Sequence, residues 1–340
     1  MKRVKPRAIF ITRSDIGWYS KNANVYQKPY CLSREYDLTL CISQNCRVPD
    51  EILARVSRVV RFKNIFEFLS LNRTIRTIEK SNNSPALIFT SFDFPCMWVG
   101  WRLQRRTGAK WTVFCWDPPC LSHRDGFPPL RWAIDLVFRW FARRCDKLIL
   151  NIHPGLLDEI GFRRVEVEKW RASGKLELRM QDAFDGLVPS PISTTTTFDY
   201  DFGVLSNWTA AKGASLMTEV MRQMPDKTCL WIGDPPNSNI RAFNHSNISF
   251  AGRLDQVEAF EKLKKCRILV APYLNVRSLK WNYVLKLFEY VQLGRLILAS
   301  DNPGNVEVAK RFPGRITLFR SGDVTDFVAK CEGIYGIFHQ

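Results

Sequence analysis

The stretch Lys286-Leu287-Phe288-Glu289-Tyr290, followed by Gly294 and then by Leu296–Ala299, sets the architecture of its half of the chain. It reads as a helix over Tyr283–Gln292, a glycine, and a short continuous apolar run of the kind found in strands buried on both faces. Working outward, Tyr200–Leu205, Thr228–Ile232, Ile248–Ala251, Ile268–Ala271 and Ile316–Phe319 read as further strands. Ala211–Met224, Gln256–Lys265, Val306–Arg311 and Val324–Tyr335 read as helices between them. Alternation of this kind implies a parallel sheet with helices on both faces.

The first half repeats the layout without repeating the sequence. Ala8–Thr12, Leu38–Ser43, Val56–Phe62, Ala86–Thr90, Trp111–Cys115 and Lys147–Ile152 are apolar, strand-like runs. Ile65–Lys80, Cys96–Arg106 and Leu130–Arg144 are the expected helices. Between the halves, Pro189-Ser190-Pro191 and the Ser193–Thr197 tract lack periodicity and are rich in breakers. The expected division is therefore a first domain over 1–188, a linker over 189–198 and a second domain over 199–340. The fold class is α/β, with two Rossmann-like domains facing a cleft and ligands beyond the carboxyl ends of the strands.

Composition narrows the class. The chain has 340 residues, 46% hydrophobic and 24% charged, a globular profile with enough length for two cores. Its ten cysteines contain no C-x-x-C pair, and His123, His153, His245 and His339 are dispersed, so neither a disulfide framework nor a metal site is expected. Ala8–Thr12 is too short for a signal-peptide core, and no run approaches the roughly 20 apolar residues of a membrane span. A cytoplasmic protein is expected. The net charge of +17 is concentrated: residues 1–150 hold 26 Lys and Arg against 12 Asp and Glu. An acidic partner for that half follows: anionic lipid, a phosphate-bearing acceptor or nucleic acid.

Lys286 and Glu289 share one helix face, three residues apart in the first two turns, where the backbone N–H groups favour phosphate. A lysine there neutralises a diphosphate, and a glutamate accepts two hydroxyl hydrogen bonds from a ribose. The plainer alternative is a surface i,i+3 ion pair. Other strand ends in this half run into turns: Asp201-Phe202-Gly203-Val204-Leu205 leads to Lys212-Gly213, Leu230–Asp234 contains Gly233, Phe250-Ala251-Gly252-Arg253 repeats the pattern, and Leu269–Pro272 ends at proline.

This order resembles the nucleotide-binding half of GT-B glycosyltransferases, and in particular the group 1 (family 4-like) superfamily. The resemblance covers residues 200–310 well and residues 1–160 only in layout. It implies that Lys212 and Lys286 hold the donor diphosphate, that Glu289 binds the ribose, and that Gly203, Gly213, Gly233 and Gly252 admit the ligand to the backbone. Arg253 and Tyr290 complete the implied donor set. Retaining members carry a second glutamate eight positions before Glu289, where this chain has Trp281, and an arginine after the first glycine, where it has Val204. Arg253 or Arg277 would supply the missing cation. The resemblance implies no cofactor and no metal.

In the first half, Asp15 leaves the first strand in Ile11–Gly17, while Asp93 and Asp117 follow later strands, with His123 in the same loop as Asp117. Each can take a proton from an acceptor hydroxyl. Asp117 is the leading candidate, with Asp15, Asp93 and His123 as competitors and a turn-capping role as the alternative. Along 128–145, Trp132, Leu136, Phe138, Trp140 and Phe141 interleave with Arg131, Arg139, Arg143 and Arg144. That pattern suits either a helix lying on anionic membrane or a core helix with snorkelling arginines. The expected partners are a nucleotide-sugar donor and a glycan or lipid-linked acceptor of envelope or exopolysaccharide synthesis, with peripheral contact on the inner membrane face. The competing readings are a nucleotide-sugar 2-epimerase-like enzyme and a basic nucleic-acid-binding protein, although no nucleic-acid motif is present.

Overall fold

A computed structural model of the chain describes residues 5–18, 21–63, 85–116, 128–180, 184–192, 197–234 and 247–337. The helix expected over Ile65–Lys80 lies outside these residues, as do Asp117 and His123. Contacts divide the chain into two units, Met1–Asp185 and Gly186–Gln340.

The first unit is a seven-stranded parallel sheet made of β1 (Arg7–Ile11), β2 (Asp37–Ser43), β3 (Arg58–Phe62), β4 (Leu87–Ser91), β5 (Lys110–Cys115), β6 (Lys147–Leu150) and β7 (Leu176–Leu178). The strand order is β3-β2-β1-β4-β5-β6-β7, so the winding reverses between β1 and β4. Its helices are α1 (Asn24–Glu35), α2 (Asp50–Leu53), α3 (Phe94–Thr107), α4 (Pro128–Arg144), α5 (Gly155–Glu159) and α6 (Arg164–Ala172). Phe10, Leu40 and Ile42 of the sheet share a core with Val25, Tyr26 and Leu32 of α1. Trp111 of β5 is fully buried against Phe141 of α4, and its indole N–H donates to Thr90 Oγ1 at 3.0 Å. The ring's single polar atom is thereby satisfied.

The sequence reading contains neither α1, α6 nor β7. Pro29 lies inside α1, where it removes a backbone donor and argues locally against a helix. Burial of Val25, Tyr26 and Leu32 against the sheet overrides that local cost.

The second unit is a six-stranded parallel sheet: β8 (Tyr200–Leu205), β9 (Cys229–Ile232), β10 (Ile248–Gly252), β11 (Cys266–Ala271), β12 (Leu296–Ser300) and β13 (Ile316–Phe319). Its order is β10-β9-β8-β11-β12-β13, with the reversal between β8 and β11. The helices are α7 (Ala214–Gln223), α8 (Gln256–Leu263), α9 (Leu285–Gln292), α10 (Pro303–Arg311) and α11 (Val324–Ile337). Phe202, Trp231, Val270 and Leu298 pack with Met217 and Val220 of α7 and Phe327 of α11 in one core. Two doubly wound sheets, each with a switch point, are the two Rossmann-like domains expected from the alternation.

Candidate functional site

The segments that follow the carboxyl ends of β8, β9, β10 and β11 carry nearly all of the implied donor residues. Lys212 closes a short turn over Ala210–Lys212, and Gly213 follows at φ +84° to start α7. A Cβ on Gly213 would stand 2.1 Å from the Pro272 carbonyl oxygen, so the loop after β8 is pressed onto the end of β11 and only glycine fits. Gly233, at φ +144°, is similarly closed in by the Ser206 carbonyl oxygen. Gly203 differs: its missing side chain makes room for Cys266 and Leu269 of β11, which is sheet packing rather than a ligand opening. Arg253 is exposed just past the end of β10.

Helix α9 begins at Leu285, two residues later than the sequence reading, and leaves Lys286 and Glu289 in its first two turns. The Lys286 ammonium meets Glu289 Oε2 at 2.8 Å, and the Glu289 side chain is 1% exposed against 27% for Lys286. Gln256 Nε2, at the start of α8, approaches Glu289 Oε1 at 3.4 Å. This pair is therefore buried at its acidic end and open at its basic end, unlike the surface i,i+3 pair of the plainer reading.

Among the described residues, three helices that begin at this edge have no side chain capping their first turn. They are α7 behind Gly213, α9 behind Val284 and α10 behind Asn302. Helix α8 is different, since Asp255 accepts from the Glu258 N–H at 2.8 Å. Uncapped N–H groups and the positive end of the helix dipole make these starts suited to anions. The sequence reading missed Gln256 and the start of α10; Pro303 directly after Asn302 is the signal that marks the latter.

Tyr290 takes another part. Its hydroxyl accepts from the Leu205 N–H at 2.8 Å and reaches the Val270 carbonyl oxygen at 3.5 Å. It thus ties β8 to β11 at the switch point, and burial pushes its phenol well above the ordinary value. In the first unit both Asp15 oxygens are held by Arg47, one by the backbone N–H at 2.8 Å and one by Nε at 3.1 Å. Asp93 caps α3, accepting from the Cys96 N–H at 3.1 Å and from Ser91 Oγ at 2.8 Å.

A family model described as "Glycosyl transferases group 1" matches residues 200–336, which spans the second sheet and every side chain just placed at its edge. The second unit carries a group 1 glycosyltransferase domain. A Bacillus subtilis protein assigned to teichuronic acid biosynthesis as the glycosyltransferase TuaH is 25% identical over 126 residues, 36% of this chain and 31% of its own length. The match thus spans under a third of that relative. Among solved structures, Anabaena Alr3699/HepE in complex with UDP and glucose aligns with a TM-score of 0.65 at 11% identity, over 97% of this chain and 90% of its own. The catalytic domain of Arabidopsis thaliana starch synthase IV bound to ADP and acarbose gives 0.60 at 10%, over 98% and 92%. The UDP-GlcNAc 2-epimerase of Methanocaldococcus jannaschii gives 0.55 at 12%, over 97% and 92%. These likenesses establish the GT-B fold over the chain.

Proposed function

We propose that this chain moves a hexosyl or uronosyl group from a nucleotide sugar, bound by the second unit, to a glycan or lipid-linked acceptor of envelope or exopolysaccharide synthesis. The observation that carries the reading is the Lys286–Glu289 pair at the uncapped start of α9. Lys286, Lys212 and the backbone N–H groups at the start of α9 would neutralise the leaving diphosphate, which is where charge grows in the transition state. Glu289 Oε1, which Gln256 Nε2 approaches at 3.4 Å, would accept the ribose hydroxyls. With lysines and helix N–H groups supplying the positive charge, transfer would need no bound metal. Arg253 or Arg277 would add a third cation beside the sugar.

Asp117, following β5, is assigned the acceptor proton; Asp15 is a weaker candidate because Arg47 occupies both its oxygens. The TuaH match supports an envelope polymer as the product. The HepE and starch synthase complexes support a nucleoside diphosphate as the ligand class. The protein would work at the cytoplasmic membrane face, held there through residues 128–145. Among the described residues no helix is long and apolar enough to cross a membrane.

A thermal-shift screen against UDP-, GDP- and other nucleotide sugars tests the reading. At about 100 times its dissociation constant, the donor should stabilise the fold by about 2.7 kcal/mol. Absence of a shift with every nucleotide sugar would reject it. The shared fold of the 2-epimerase favours one second reading, epimerisation of the donor. Conversion of the donor with no acceptor present would select that alternative.

A further inference from the structure

A cavity of about 220 Å³ opens between α3 and α4, and every side chain lining it is apolar. Phe92 and Met97 form one wall, Ala133, Ile134 and Val137 the other, and Phe138 packs on Phe92 with ring centroids 3.8 Å apart. The slot starts directly past the carboxyl end of β4, on the same edge of the sheet as the loop holding Asp15. Phe94 of the slot is itself 44% exposed, and α4 carries three more exposed apolar side chains, Leu130 at 54%, Trp132 at 62% and Leu136 at 43%. Further along the two helices, Trp98, Trp101 and Trp140 form a ladder with centroids 5.2 and 5.0 Å apart, and the Arg144 guanidinium lies 3.7 Å from the Trp140 ring centre.

Charge selects the occupant. Arg105, Arg106 and Arg144 are exposed at the last turns of these helices, while Arg143 is paired with Glu166 at 2.7 Å. Of the acidic groups nearby, Asp93 caps α3, Glu166 pairs with Arg143, Asp146 accepts from the Trp111 N–H and Gln104, and Asp135 is half-buried on α4. An apolar slot, followed along the same two helices by tryptophans and then by arginines, matches the layered chemistry of an anionic bilayer surface: hydrocarbon, interface, phosphate.

We infer that the α3–α4 slot receives one hydrocarbon chain of an anionic membrane lipid, docking this edge of the first unit onto the bilayer. The inference rests on the membrane-contact part of the proposed function and is independent of the donor site. It also goes further than a helix lying on the surface, because it needs α3 as much as α4 and gives the lipid a defined seat.

Sedimentation with phosphatidylglycerol vesicles, against pure phosphatidylcholine vesicles, is the test, run on the full chain and on Ala133→Phe. That substitution fills the slot while adding apolar surface and leaving every arginine in place. Seating of a chain predicts binding to phosphatidylglycerol that Ala133→Phe weakens roughly tenfold, the effect of withdrawing about two methylenes. Plain adsorption predicts that Ala133→Phe binds as well or better, which would overturn the inference, as would equal binding to both vesicle types. Where Ala133→Phe lowers the melting temperature, Val137→Phe, one turn on, carries the same comparison. Nucleotide-sugar thermal shifts, measured without vesicles on the same proteins, show separately whether the donor reading stands.

Discussion

The Glu289 carboxylate, almost wholly buried, is met by the Lys286 ammonium at 2.8 Å from one turn earlier in α9. In the proposed donor site the cation would turn to phosphate while the carboxylate accepts hydroxyls. Lys286→Met should lower donor affinity at least tenfold and destabilise the fold by about 1–3 kcal/mol, because a buried acceptor loses its donor. Glu289→Gln keeps the shape and should weaken the donor with a smaller stability cost. Urea denaturation and donor titration read the two effects separately.

Tyr290→Phe should do the reverse. Its hydroxyl serves Leu205 and Val270, so its loss leaves buried backbone groups unpaired at about 1–3 kcal/mol. Turnover at saturating donor should stay within a factor of a few. A large fall in kcat with unchanged stability would return Tyr290 to the donor site.

Gly213→Ala places a Cβ at φ +84° against the Pro272 carbonyl oxygen. Backbone strain of this kind costs about 1–3 kcal/mol, and relief would shift Lys212, the residue before it. Expected outcomes are a lower urea midpoint and weaker donor binding together; loss of one without the other would separate the turn from the site.

Asp117→Asn should reduce turnover strongly while the nucleotide-sugar thermal shift survives, and Asp15→Asn should have the smaller effect on turnover because Arg47 already occupies that carboxylate. Near-normal turnover in Asp117→Asn would move the base elsewhere.

Burial raises the Cys41, Cys145 and Cys266 thiols to about 12. In a Cys120→Ser variant, Cys31, the exposed cysteine, should alone react with a thiol reagent at pH 8, and the rest only on unfolding. The unfolded chain ionises its thiols near pH 8.5. The stability contributed by these buried thiols is therefore complete below that pH and is lost as pH rises toward 12. A urea midpoint that stays constant from pH 8.5 to 11 would contradict this.

Much of the fold was legible because strands buried on both faces leave continuous apolar runs, and β9, the Ile268–Ala271 part of β11 and β12 read that way. Helix α1 was not legible, since Pro29 argues against it locally and only packing on the sheet offsets that. Lys286 and Glu289 were legible as a pair because helix spacing alone puts them on one face. That the acid is buried and the base open was not, since burial depends on what α8 and the sheet place around them.

The sequence by itself determined two alternating α/β halves, the excess of positive charge in the first, and the chemistry available at the start of α9, because these depend on residue type and on spacing along one element. Only the tertiary structure decided that Tyr290 fastens two strands, that Arg47 holds Asp15, and that three helix starts at one sheet edge lack caps. Each of those facts joins side chains and backbone from segments far apart in the chain, and distance in space is set by packing that no local pattern encodes.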